Sequence, residues 1–199
     1  MFFKILEILR KIKFYFYPNY CITSNYRPIF FNGLVENYAN NPKKIIIGDN
    51  CVIKGRLVVF AHDGEIIIGN NVYIGERTEI WSSRSIRIGN NVLISHNVNI
   101  ADTNSHPLNH ELREQHYLEI LKRGHPRSGK LTANIIAKSI VIDDNVWIGH
   151  SSSVQKGIKI GKNSIISSSS IVVNDVPPNK IYYNLVKPFY KTVKKHKTL

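Results

Sequence analysis

The chain is poor in cysteine, with only Cys21 and Cys51 among 199 residues. Two cysteines are too few for a disulfide framework, and their separation matches no metal-ligand spacing. This scarcity excludes a disulfide-stapled secreted domain and favours a reducing, cytoplasmic compartment.

Long apolar runs are also missing. Residues 2–17 place apolar side chains at helical spacing and predict an amphipathic helix, but five charged residues interrupt the segment. Because of these charges, and because no small-residue cleavage site follows, we expect neither a spanning helix nor a signal peptide here. We expect the helix to cap one end of the fold, with peripheral contact to the inner face of a membrane as the alternative.

Acidic residues are scarce, with 14 Asp and Glu against 27 Lys and Arg, which gives a net charge of +13. The excess is concentrated at both ends of the chain and favours contact with anions such as nucleotide phosphates, lipid-linked diphosphate glycans or an anionic leaflet. A solvated fringe is the alternative. Nucleic-acid binding would rest on charge alone, because no base-reading motif accompanies it.

What the chain does contain is an aliphatic residue at every sixth position, a period that neither a helix nor an ordinary strand produces. It is clearest over 142–176, and a second series precedes it over 47–98. The period indicates a hexapeptide-repeat, all-β parallel β-helix, in which three repeats make one triangular coil. Asn and Asp recur beside glycines and predict left-handed turns at the corners.

The repeat also sets the predicted organisation. Residues 1–42 form an N-terminal helix and cap, residues 43–176 the β-helix, and residues 177–199 a basic tail that begins where Pro177 and Pro178 end the coil. An insertion at 101–139 interrupts the repeat, and long insertions in compact domains are often functional. It contains His106, His110, His116 and His125.

The start of this insertion, IADTNSHPLNHELR from Ile100 to Arg113, resembles the active-site loop of hexapeptide-repeat sugar O-acetyltransferases, particularly the galactoside and nodulation-factor enzymes. Residues 145–149 and 174–179 are similar to that family's coenzyme-binding coil and terminal turn. The resemblance implies a left-handed parallel β-helix that assembles as a homotrimer, with acetyl-CoA as co-substrate in a groove between subunits and no metal.

The resemblance also implies roles for individual residues. The family's catalytic histidine falls on His106, whose neutral imidazole would take the proton of a sugar hydroxyl. Asp102, Asn104 and Arg113 are the expected sugar contacts. The expected coenzyme contacts are Trp147, Gly149, His150, Ser167 and Ser168 for pantetheine, with Lys180 and Lys187 for the phosphates.

Two departures from the family pattern concern different ligands. The segment 183–186 replaces the family's Gly-Asn-Pro-Ala stretch at the coenzyme-binding end, whereas the insertion resembles the longer loops of polysaccharide-modifying acetyltransferases. We therefore expect O-acetylation of a sugar in surface-polysaccharide biosynthesis, such as O-antigen or capsule. The acceptor would be a nucleotide sugar, a lipid-linked repeat or a polymeric glycan.

Other functions remain open at this point. The acceptor could be an amino sugar, giving N-acetylation, or a xenobiotic of the chloramphenicol type. A zinc enzyme like the β-helical carbonic anhydrases would use histidines between subunits, and Cys51 offers an acyl-enzyme route. A noncatalytic scaffold is the last alternative. The histidines that make the zinc hypothesis worth naming are His96, His106, His110 and His150.

Overall fold

The fold is described from a computed structural model, which covers residues 20–23, 29–30, 33–124, 135–185, 187–188 and 190–191. The amphipathic helix predicted over 2–17 lies outside the described residues. No helix in the part of the chain that is described has the length and apolar character needed to cross a membrane.

Short strands stack into three parallel sheets that form the sides of a triangular prism. Sheet A has the order β1-β4-β7-β10-β13-β16, sheet B the order β19-β17-β14-β11-β8-β5-β2, and sheet C the order β18-β15-β12-β9-β6-β3. Consecutive strands along the chain lie in different sheets, so each set of three strands completes one coil. This is the parallel β-helix that the six-residue period predicted.

The elements have the following bounds. One 3-10 helix covers Pro42–Lys44, and helix α1 covers His110–Arg123. The strands of the first four coils are β1 (Ile22–Thr23), β2 (Ile29–Phe30), β3 (Leu34–Asn37), β4 (Ile45–Ile47), β5 (Val52–Ile53), β6 (Arg56–Val59), β7 (Ile66–Ile68), β8 (Tyr73–Ile74), β9 (Glu79–Ser82), β10 (Ile86–Ile88), β11 (Leu93–Ile94) and β12 (Asn99–Ala101). The later strands are β13 (Ile140–Ile142), β14 (Trp147–Ile148), β15 (Ser153–Val154), β16 (Lys159–Ile160), β17 (Ile165–Ile166), β18 (Ile171–Val172) and β19 (Ile181–Tyr182).

The core consists of aliphatic columns that run along the axis of the prism, because residues in register on adjacent coils point inward together. These side chains are at most 3% exposed, as expected when each coil buries its apolar face against the next. The columns are Ile47, Ile68, Ile88, Ile142 and Ile160 in sheet A; Ile53, Ile74, Ile94, Ile148 and Ile166 in sheet B; and Leu57, Ile80, Ile100, Val154 and Val172 in sheet C.

Asparagines build the corner between sheets A and B. One residue per coil adopts a left-handed conformation there, with φ between 55° and 60°, which confirms the predicted turns. Side-chain amides of neighbouring coils also donate to one another over 2.8 to 3.1 Å. The ladder comprises Asn50, Asn71, Asn91, Asn145, Asn163 and Asn179.

The β-helix is longer than the predicted range of 43–176. Strand β3 lies in the region predicted as a cap, yet it pairs along its full length with β6. Strand β19 follows Pro177 and Pro178 and pairs with β17, so the prolines do not end the coil as predicted. They are tolerated because β19 is the outermost strand of sheet B among the described residues, and no further coil in that part of the chain accepts from the N–H groups of the turn.

Candidate active site

The insertion leaves the β-helix where β12 ends, at the corner between sheets C and A. Its first residue, Asp102, is fully buried. The carboxylate accepts from the backbone N–H of Ser83 at 2.7 Å and of Arg84 at 3.0 Å, and from the Ser82 hydroxyl at 2.7 Å. Burial raises the pKa of the Asp102 carboxyl, and these hydrogen bonds oppose the rise. Asp102 has no exposed surface for a sugar, so its predicted contact with substrate is wrong, and it anchors the insertion instead.

Removing this anchor should destabilise the fold. We expect Asp102→Ala to lower the free energy of unfolding by about 3 kcal/mol, because an unpaired buried N–H costs about 1–3 kcal/mol and two are left without their acceptor. Denaturant unfolding measures the change. Asp102→Asn keeps one acceptor oxygen and should lose less; equal stability of the alanine variant and the native chain would contradict the anchoring role.

The other two predicted sugar contacts also hold the insertion in place. The backbone N–H of Asn104 donates to the Ile136 carbonyl at 3.0 Å, which joins the two ends of the insertion. Arg113 lies on α1, and its Nη1 donates to the carbonyls of Pro107 at 3.3 Å and Leu108 at 2.9 Å. Both side chains retain exposed surface, so contact with an acceptor remains a prediction for them.

His106 is the exposed residue at the turn of this loop, directly after Ser105, which has a φ of 62°. Its Nδ1 lies 3.1 Å from Nδ1 of His116 on α1, and the rings meet edge to face with centroids 5.2 Å apart. Helix α1 begins after Asn109, whose side chain caps the N–H of Leu112. Helix α1 therefore places His116 in contact with the ring of His106.

A cleft of about 280 Å³ opens beside this pair. One wall is the outer face of sheet C, and the opposite wall is the face of α1 that carries His116 and Ile120, one turn apart. The described residues that line it are Tyr38, Arg56, Val58, Phe60, His62, Trp81, Ser83, Ser105, His106, His116, Ile120 and Ile135.

The sheet C wall is aromatic, and the sequence analysis missed it. Tyr38 stacks on Phe60 with centroids 6.4 Å apart, and Phe60 meets Trp81 edge to face at 6.1 Å. The three residues come from consecutive coils and share the outward side of their strands. Trp81 is in register with Val58, two residues before Phe60. A search of the outward positions of neighbouring coils could have found the three rings, but the six-residue period marks only the inward positions.

Charged groups surround the aromatic wall and pair with one another. Arg56 binds Glu36 through Nη2 at 2.8 Å and Nε at 3.3 Å, and its Nη1 lies 3.6 Å from Glu79. Glu36 accepts from the Tyr38 hydroxyl at 2.8 Å, and Glu79 accepts from the indole N–H of Trp81 at 2.7 Å. The network fixes the orientation of two of the three rings.

The predicted coenzyme residues lie elsewhere on the same chain. Trp147 projects from sheet B with 46% of its surface exposed, and its indole N–H donates to the Ser95 hydroxyl at 3.4 Å. Gly149, His150, Ser167 and Ser168 lie at the corner between sheets B and C, where a Cβ on Gly149 would stand 2.6 Å from the Ser168 nitrogen. Lys180 and Lys187, beyond the last full coil, are exposed. One chain thus places His106 and the predicted coenzyme set at different corners.

Two of the alternatives raised by the sequence can be examined directly. His96 stacks on His150 at the corner between sheets B and C, while His106 pairs with His116 on the insertion. The described residues form no cluster of three or more metal-ligating side chains within one chain. Cys51 is 1% exposed, and burial raises the pKa of its thiol, so an acyl-enzyme at Cys51 is inaccessible and that alternative is wrong.

The repeat matches a family model described as the hexapeptide repeat of succinyl-transferase, over residues 65–101 and 139–172. The chain contains this hexapeptide repeat. The two matched ranges stop on either side of the insertion, so the repeat accounts for the scaffold and not for the loop that carries His106.

The chain is also similar to galactoside O-acetyltransferases. It is 36% identical over 135 residues to galactoside O-acetyltransferase of Escherichia coli K12, a match that covers 68% of the chain and 57% of the relative. The corresponding enzyme of Lactococcus lactis is 31% identical over 137 residues, covering 69% of the chain and 58% of the relative. The match therefore spans less than two thirds of either relative, and it confirms the resemblance to acetyltransferases read from the sequence.

Solved structures show the same architecture. AntD, an N-acyltransferase from Bacillus cereus solved with dTDP and coenzyme A, superposes with a TM-score of 0.61 at 18% identity, over 90% of this chain and 84% of AntD. A second AntD structure, with dTDP-4-amino-4,6-dideoxyglucose and coenzyme A, gives a TM-score of 0.61 at 16% identity, over 96% and 90%. At this identity the similarity shows the fold alone, and it confirms the predicted left-handed parallel β-helix.

Proposed function

We propose that this protein transfers an acetyl group from acetyl-CoA to a hydroxyl of a sugar, with His106 as the general base. The observation that carries the proposal is the position of His106, whose ring is held by a second histidine at the rim of an aromatic cleft. The identity to galactoside O-acetyltransferases favours a hydroxyl acceptor. The coenzyme A named in the AntD structures supports the donor.

The chemistry requires a base because a sugar hydroxyl is a poor nucleophile until its proton is removed. The hydroxyl oxygen attacks the thioester carbonyl carbon while its proton passes to Nε2 of His106. The C–S bond then breaks, the acetyl ester remains on the sugar, and coenzyme A leaves as a thiolate that takes up the proton.

His116 has a positioning role in this proposal. In a hydrogen bond between two Nδ1 atoms, one ring must donate an N–H and the other must accept. If His106 donates, its own proton is on Nδ1 and its Nε2 lone pair is free for the substrate. The proposal therefore requires this direction, in which His106 donates and His116 accepts.

We propose a homotrimer with active sites between neighbouring chains. Two observations support a site formed by two chains. His106 and the predicted coenzyme residues lie at different corners of one chain, and the outer face of sheet B carries an apolar stripe. Leu93 and Trp147 are in register on this stripe and are 43% and 46% exposed, and Ile181 on the last strand is 62% exposed. Covering such a stripe with a second copy would bring Trp147 and its neighbours to the next chain.

A role in surface-polysaccharide biosynthesis follows from the long insertion and from the excess of basic residues, which suits glycans carried on diphosphates. Acetyl-CoA is an intracellular metabolite, so we place the reaction in the cytoplasm. Contact of the N-terminal segment with the membrane stays a prediction, since that segment lies outside the described residues.

The test is release of the coenzyme A thiol from acetyl-CoA by the purified protein. The acceptor panel comprises neutral methyl glycosides, amino sugars, nucleotide sugars and chloramphenicol, and zinc is measured on the same sample. Release with hydroxyl acceptors supports the proposal. Release confined to amino sugars would indicate N-acetylation instead, and release confined to chloramphenicol would indicate a xenobiotic role. No release, together with one zinc per chain, would indicate a metalloenzyme.

A further inference from the structure

We propose that the outer face of sheet C beneath α1 is the acceptor subsite, and that it binds the apolar face of a single uncharged pyranose. This inference rests on the proposed function and narrows its substrate class. It assigns binding roles to Tyr38, Phe60 and Trp81.

The aromatic rings are confined to the part of the sheet that faces the insertion. Tyr38, Phe60 and Trp81 belong to the first three coils, whereas the next coil places Ala101 in register with Trp81. On the next two coils, the residues in register with Glu79 are Asn99 and Ser153, which are not aromatic. Aromatic rings at outward positions are thus a local feature of the cleft and not a general property of sheet C.

The wall suits a sugar by shape and by charge distribution. Aromatic faces carry negative charge density, and one face of a pyranose presents C–H groups that are weakly positive, so the two stack favourably. The cleft of about 280 Å³ is slightly smaller than the roughly 300–1,000 Å³ of pockets for drug-sized ligands. It therefore has room for about one ring.

The charges of the cleft favour a neutral ligand over a phosphate or a carboxylate. Arg56 is the sole Lys or Arg among the described lining residues, and both of its carboxylate partners lie within 3.6 Å. With Glu36 and Glu79 included, this network carries one net negative charge. An anionic group would have to displace a carboxylate from Arg56, so the phosphates of a nucleotide sugar would have to lie outside this cleft.

The opposite side of the cleft completes the argument. His106 and His116 line the same space as the rings. A pyranose stacked on the wall presents its hydroxyl-bearing edge toward the loop, where His106 can take a proton. The wall would thus select the sugar and set which hydroxyl reaches the base.

Binding can be measured without catalysis because the chain has two tryptophans, Trp81 and Trp147. Trp147→Phe leaves Trp81 as the sole reporter. This variant is titrated with methyl glycosides of galactose, glucose, N-acetylglucosamine and rhamnose, and with dTDP and methyl glucuronide as anionic probes. We expect a neutral glycoside to change Trp81 emission independently of salt. Tighter binding of an anionic probe, or no response to any neutral glycoside, would overturn the proposal.

Kinetics give the second readout. Trp81→Ala should raise KM for the acceptor by about tenfold, the equivalent of about 1.4 kcal/mol, with KM for acetyl-CoA unchanged. Trp81→Phe keeps a ring and should stay within about threefold of the native value, which separates lost stacking from misfolding. Tyr117→Ala is the matched control, because Tyr117 is 44% exposed on α1 and is not among the lining residues.

The two proposals fail separately. A response of Trp81 to a glycoside without acetyl transfer to any acceptor would retain the subsite and remove the proposed function. Transfer that depends on His106, with an acceptor KM that Trp81→Ala leaves unchanged, would retain the function and remove the subsite.

Discussion

His106→Ala should lower kcat for acetyl transfer by about 10²–10⁴-fold, the contribution typical of a general base. The side chain is exposed at the turn of the insertion and lies outside the aliphatic core. We therefore expect the variant to have the same midpoint of denaturant unfolding as the native protein and to bind acetyl-CoA with the same affinity. Thiol release at saturating acceptor, together with calorimetric binding of acetyl-CoA, distinguishes loss of the base from loss of binding.

Two other histidines provide the comparison. His116→Ala removes the partner of His106 but leaves Nε2 of His106 in place. We therefore expect kcat to fall by less than in His106→Ala, with KM values near native. His110→Ala is the matched control, since His110 is an exposed residue at the start of α1 and does not line the cleft. Native turnover in His106→Ala would remove His106 from the mechanism, and equal losses in all three variants would indicate a general effect on the insertion.

Leu93→Lys should separate the chains and abolish transfer. Leu93 is in register with Tyr73 and Trp147 on the apolar stripe of sheet B. In the proposed trimer, the new ammonium group would therefore be buried without a partner in each interface. An unpaired charge at an interface costs about 2–5 kcal/mol, enough to dissociate a trimer at micromolar concentration. Light scattering coupled to gel filtration gives the mass, and thiol release gives the activity.

Leu121→Lys is the matched control for this substitution. Leu121 is 75% exposed on α1 and faces away from the β-helix scaffold, so the variant should keep both the native mass and the native activity. A Leu93→Lys protein that remains trimeric would place the interface on another sheet. A monomer that retains activity would show that one chain holds a complete site.

The scaffold could be predicted from the sequence because its determinants repeat. Ile148, Val154 and Ile160 recur every six residues, and each is buried against the residue in register on a neighbouring coil. The predicted range of the β-helix was too short at both ends, also for a physical reason. The first coil has irregular spacing between its strands. The last coil tolerates prolines because, in the described part of the chain, no further coil accepts from its turn.

The candidate site was less predictable because its contacts join residues without any period. Asp102 was predicted to contact the sugar, and only the fold shows that its carboxylate accepts from the backbone of Ser83 and Arg84. The pairing of His106 with His116 depends on how α1 is rotated over the cleft. Neither the spacing of these two residues nor the loop motif specifies that rotation.

The insertion interrupts the chain but not the stacking of the coils. Strands β10 and β13 pair residue for residue across it, and the Asp144 carboxylate accepts from the Asn90 backbone as neighbouring coils do elsewhere. Loop-closure entropy rises by only about 0.6 kcal/mol for each doubling of loop length. The framework can therefore carry a long insertion at this corner at little cost in stability, provided that Asp102 keeps its hydrogen bonds to the coil beneath.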